Sequence, residues 1–190
     1  MVEEIRSHVG SITLVPLAGL GYWLPGLEVP VGWTVVGTPA EPAPVTRIAL
    51  RHIASKRSNW DGCETIALYQ FTGSVSEEFV QESAGRTLND LGADNVLHHN
   101  VSLGFNSVAA VRSSGWFTIG KRSLWGQFSN YVVNTGAVGG LVEHSVLVEA
   151  QFRPRLSREV NQMTQSVLSS LVASLSVSEP SRGLPSDCSW

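Results

Sequence analysis

The chain has 190 residues, 43% of them hydrophobic and 15% charged, with a formal net charge of −3. That length gives room for one domain with a sizeable core, and that composition excludes a disordered chain. Thirteen basic residues, eleven of them Arg, stand singly against sixteen acidic ones, which excludes the basic footprint of a nucleic-acid binder.

Arg153, Arg155 and Arg158 come close together only as the solvated start of a helix. Two cysteines, Cys63 and Cys188, are too few for a thiolate zinc site or a disulfide framework. Whether they pair with each other is left open. Cys188 stands third from the end and misses the spacing of a prenylation box.

In chain order, residues 7–27 carry no Asp, Glu, Lys or Arg. Pro16, Pro25 and the glycines at 10, 19, 21 and 26 oppose a membrane helix there. The opening "MVEEIR" lacks the positive start of a signal peptide. The expectation is no membrane insertion, and a cytoplasmic location for the chain as given, or export if a leader has been removed. "ITLVPL" (12–17) and "GWTVVG" (32–37) have the β-branched content and turn-residue borders of short strands. "TPAEPAP" (38–44) is a proline-rich connector. "VTRIALRHIA" (45–54) alternates, with Ile48, Leu50 and His52 expected inward and Arg47 and Arg51 outward. "SKRSNWDG" reads as a loop into the strand "ETIALYQF" (64–71).

A helix is predicted over 74–92, with Ser74 and Glu77 as a capping box and Gly92 as its stop. Its apolar stripe is Val80, Ala84, Leu88 and Leu91. Strands are predicted at about 95–103, 107–119, 123–134 and 141–152. The last alternates most cleanly, with Val142, His144, Val146, Val148, Ala150 and Phe152 on one face. Pro154 introduces a helix over about 155–175, and 176–190 is a Ser/Pro-rich tail. The expected fold is therefore α+β: an antiparallel sheet of about six to seven strands flanked by two main helices. Residues 1–175 form the expected single domain.

This pattern resembles the Mog/PsbP-like fold, and more narrowly the actinobacterial lipoprotein LpqN group, from about residue 24 to 175. The likeness is carried by "LEVPVGWTVVG", "ETIALYQFTGSVSEEFVQESAGRTLNDLGA", "VSLGFNSVAAVRSSGWF" and "LSREVNQMTQSVLSSL". LpqN lipoproteins begin with a signal peptide and a lipid-modified cysteine, and neither motif occurs in this sequence. The resemblance implies an α/β/α sandwich and a non-catalytic accessory or binding role. Relatives in the fold include Ran-binding proteins, photosystem subunits and chaperones of secreted effectors.

The residues that could carry chemistry point the same way. In a strand the adjacent His98 and His99 face opposite sides, His98 outward and His99 with the core. His52, His99 and His144 all fall on nominally apolar faces and could meet at a zinc ion only if their strands were neighbours. Satisfied core histidines are the commoner outcome, so no metal is expected. Cys63 lies between Asp61 and Glu64, which raises its pKa rather than activating it. No G-x-S-x-G elbow or phosphate loop occurs, and "NTGAVGGL" (134–141) reads as a hairpin turn. The expectation is no catalytic residue, no cofactor and no enzyme activity.

What remains is aromatic surface. Trp125, Gln127, Ser129 and Tyr131 share one face of their strand, and Leu124, Phe128 and Val132 the other. Trp116, Trp125, Tyr131 and the loop residue Trp60 are the candidate protein-binding residues, since interfaces favour exposed Trp and Tyr. The competing expectation is that both sheet faces are covered. The function expected is an adaptor or chaperone-like module acting through its sheet or groove on a protein partner, with a homodimer as an option. The alternative is a binder of small hydrophobic ligands, with a pocket beneath the last helix.

Overall fold

Alternating β-branched and polar residues dictate long antiparallel strands at the centre of the molecule. A computed structural model describes residues 2–36, 45–52, 60–103, 108–134 and 138–178. Within them, eight strands make one sheet. They are β1 (Ser11–Leu14), β2 (Trp33–Val36), β3 (Arg47–Arg51), β4 (Gly62–Thr72), β5 (Asp94–Asn100), β6 (Val108–Ile119), β7 (Arg122–Asn134) and β8 (Val138–Glu149). Their order across the sheet is β2-β3-β4-β8-β7-β6-β5. The long β4 serves two partners along one edge, with Gly62 to Ile66 on β3 and Tyr69 to Thr72 on β1. This sharing takes the strand count one above the upper expectation.

Among the described residues, five helices flank the sheet: α1 (Val2–Arg6), α2 (Leu20–Trp23), α3 (Glu77–Glu82), α4 (Arg86–Asp90) and α5 (Arg153–Ser178). The 26-residue α5 carries Pro154 in its first turn, where a missing N–H costs nothing. Its Leu156, Val160, Met163, Val167 and Leu171 are buried against Ile66, Tyr131, Val142, Val146 and Val148. The opposite face is covered by α1, α3 and α4, which bury Ile5, Val80 and Leu88 over Val111, Phe117, Leu124 and Val132. The α/β/α layering is thus present.

Several expectations change. The helix expected over 74–92 is two helices, broken at Gly85, whose φ is 80°. A Cβ there would overlap the edge of the His98 ring, so His98, exposed as expected, also packs against the break. The helix starts at Ser76 rather than Ser74, with the Ser76 hydroxyl accepting from the Phe79 N–H at 3.2 Å. Gly92 ends the pair as expected, with φ 63° and paired bonds from its own N–H to Asn89 and from the Ala93 N–H to Leu88, both 2.9 Å. Gly85→Val is expected to lower stability by about 1–3 kcal/mol, read from the urea midpoint. Adding His98→Ala should recover the clash and leave the backbone strain.

On β3 the faces are reversed. Arg47 and Ala49 are buried towards α5, while Ile48 and Leu50 are half-buried on the other side and His52 is exposed. Arg47 turns inward because a carboxylate waits for it, as described below. On β5, His99 is exposed rather than core, on the face that it shares with Arg112 and that α5 leaves open. The last predicted strand also runs earlier, and Ala150 to Phe152 form a 3-10 turn instead. Of the expected tail, 176–178 continue α5. The connector 38–44, loop residues 53–59, turn residues 135–137 and Cys188 lie outside the described residues.

Candidate functional site

Antiparallel neighbours in register point to the same face, so the side of the sheet under α5 can be listed strand by strand. β3 contributes Arg47, β4 Glu64 and Ile66, β8 Val142, His144 and Val146, and β7 Trp125, Gln127, Ser129 and Tyr131. Three of these form a buried polar triad. Arg47 Nη2 donates to Glu64 Oε2 at 2.6 Å, and His144 Nε2 lies 3.1 Å from Glu64 Oε1. All three side chains are buried. Burial pushes the Glu64 carboxyl up, but the hydrogen bond and charge of His144 and the charge of Arg47 outweigh it, so the carboxyl sits below its ordinary value. Beside the triad, the Gln127 amide donates to the Thr164 hydroxyl of α5 at 2.8 Å. The Glu–His pairing suits proton transfer in residue type, yet its place beneath α5 gives it a role in locking β3, β4 and β8 together.

The expected aromatic patch is split by α5. Trp125 is 7% exposed and Tyr131 0%, so neither presents a surface. Tyr131 lies among Ile66, Leu68, Val167 and Leu171, and Trp125 is capped by the Arg153 guanidinium 3.9 Å above its ring. Trp60 is half-buried beneath Arg122 at 4.0 Å. The same guanidinium donates to the Trp60 carbonyl at 2.7 Å and to Glu149 at 2.8 Å, so Trp60 is tied to the body rather than free at a loop tip. Trp116 alone of the four is exposed, at 38%.

Trp116 belongs to the half of this sheet face that α5 leaves open. In β6 it stands opposite Trp125, Ser114 opposite Gln127 and Arg112 opposite Ser129, so all three point to the α5 side. From β5, Leu97 pairs with Ser114 and His99 with Arg112. Leu97 is 58% exposed and Arg112 and Ser114 are half-buried. Arg112 Nε donates to the Ser129 hydroxyl at 3.4 Å. Sequence reasoning missed Leu97 and Arg112, although the polar run "DNVLHHN" carried the signal of an edge strand with little to bury.

The three histidines that could meet at a metal only as neighbours do not converge: His144 is buried in β8, while His52, just past β3, and His99 on β5 are exposed. Among the described residues no group of three His, Cys, Asp or Glu is placed to hold a metal. Burial and then the Glu64 charge, eased by Arg122, push the Cys63 thiol up to about 11, leaving it almost wholly protonated at neutral pH. A ligand pocket beneath α5 would need roughly 300 Å³ or more. The described space there is occupied by Ile66, Tyr131, Val142, Val167 and Leu171, all nearly fully buried.

An antiparallel eight-stranded sheet with one long C-terminal helix on one face and short helices on the other defines an α+β fold. A solved structure with a similar fold is that of LpqN, described as involved in cell envelope biogenesis of Mycobacterium tuberculosis. The match has a TM-score of 0.67 and 16% sequence identity over 87% of this chain and 94% of that one. Human STARD10 aligns with a TM-score of only 0.25 and 8% identity, over 77% of this chain and 75% of that one. No family model matches the sequence, and no curated protein does. Among the described residues, no helix is long and apolar enough to cross a membrane.

Proposed function

We propose that the chain is a non-catalytic protein-binding accessory module, an adaptor or chaperone-like factor, whose binding surface is the open β5–β6 half-face. One observation carries this reading: α5 seals one half of its sheet face and leaves Leu97 and Trp116 exposed on the other half. Large apolar side chains grouped beside an unpaired strand are the material of interfaces. The likeness to LpqN supports a cell-envelope setting for that work.

The test is photo-crosslinking in cells of the source organism, with benzoylphenylalanine placed at Leu97 or, as control, at Tyr22 of α2, which is 84% exposed. A discrete adduct is expected from position 97 and not from 22, and it should vanish when Trp116→Asp is added. Adducts of the same mass from both positions, unaffected by Trp116→Asp, would remove the half-face from the account.

A further inference from the structure

We propose that the half-face receives an extended, acidic stretch of a partner protein, which adds to β5 as a ninth strand. This rests on the protein-binding reading above and specifies the partner's chemistry. β5 ends the sheet, so its outward N–H and C=O groups have no strand partner among the described residues. Such a row is a template for strand addition. Its sequence "DNVLHHN" contains neither Lys nor Pro, which commonly guard an edge. Pairing shifts register between Asp94 and Leu97, then runs in step from Leu97–Ser114 to Asn100–Val111. The Val101 N–H continues it to the Ala110 carbonyl at 3.0 Å. The regular stretch available to a new strand is therefore 97–101.

Charge selects the incoming side chains. Arg112 and His99 face the open side together, and Arg153 lies over Trp125, the register neighbour of Trp116. Asp94, opposite Trp116, places one carboxylate beside this patch. Arg112 reaches only the neutral Ser129 hydroxyl, and Arg153 only the indole of Trp125, among the described residues. The chain as a whole carries −3, so the patch reverses the sign of the molecule. A strand laid about 4.8 Å outside β5 sets alternate side chains beside Leu97 and His99, with Arg112 one strand further in. Acidic side chains there meet arginine, and apolar ones rest on Leu97 and Trp116. A basic strand would meet like charge, and a second copy of β5 offers one carboxylate in seven residues.

Nitrogen-15 NMR of the full chain, titrated with three synthetic peptides that carry charge and leucine on one face of an extended strand, tests this: TETLTETLT, its neutral analogue TQTLTQTLT and the basic TKTLTKTLT. The acidic peptide should shift amides 94–101 and 108–116 and bind about tenfold more tightly than the neutral one. That advantage should shrink in 0.5 M salt. Arg112→Glu should abolish the advantage, and the milder Arg112→Gln should halve it or more. Equal affinity for the acidic and neutral peptides overturns the acidic partner and leaves the surface standing. No shift of β5 with any peptide overturns strand addition, while the Leu97 crosslink decides separately whether the half-face binds protein. Shifts of β5 that track protein concentration without peptide assign the edge to a second copy and overturn the proposal as well.

Discussion

Glu64→Ala is expected to remove about 3–5 kcal/mol of stability. The carboxylate holds Arg47 at 2.6 Å and His144 at 3.1 Å, and the alanine leaves a buried guanidinium with no counter-charge. Glu64→Gln keeps the shape and still strands Arg47, so it too should be strongly destabilising, whereas a triple replacement by apolar residues of similar volume should recover much of the loss. The pH dependence has a fixed sign. Glu64 titrates below its ordinary value of 4.5 in the folded chain, so the unfolded chain takes up its proton first. The stabilisation is complete above about pH 4.5 and is lost as pH falls through the lower folded value. Urea midpoints measured from pH 7 down to 3 should therefore fall more steeply for the parent than for Glu64→Gln. Parallel profiles would remove the ionised Glu64 carboxylate from the description of the core.

Tyr131→Ala should cost about 3–5 kcal/mol, because the ring is wholly buried beneath α5. Tyr131→Phe should be neutral within about 0.5 kcal/mol or mildly stabilising. The phenol oxygen is buried with no hydrogen-bond partner among the described residues, and removing an unsatisfied polar atom relieves its desolvation cost. The pair separates core from surface. Thermal denaturation that leaves Tyr131→Ala as stable as the parent would return the residue to the exposed patch expected from sequence.

That expectation shows where sequence reading stops. Alternation assigned Trp125 and Tyr131 to one face of β7 correctly, and the apolar stripe of the last helix was equally plain. Alternation does not say how far a helix reaches sideways across a sheet. α5 covers β4, β8 and β7 and stops short of Trp116, which shares the same face. Alternation puts Arg47 on the polar face of β3, and arginine is almost never buried unless paired; its partner Glu64 is a neighbour only through the β3–β4 register. Gly85 broke the predicted helix because His98, from the next strand, occupies the space of its missing side chain. By contrast the long strands, the Gly92 stop and the proline start of α5 depend on local chemistry, and these were legible. The LpqN likeness drawn from element order is matched by a similar solved fold at a TM-score of 0.67.

Native-state hydrogen exchange, with and without the partner captured through position 97, tests the division of this sheet face most directly. In the free protein, amides of β7 between Trp125 and Val133 should exchange only through global unfolding, and the outward amides of 97–101 far faster. Adding the partner should slow β5 and the adjoining part of β6, with α5 and β7 unchanged. Protection that instead falls on α5, with β5 exchanging as before, would contradict a binding surface on the open half.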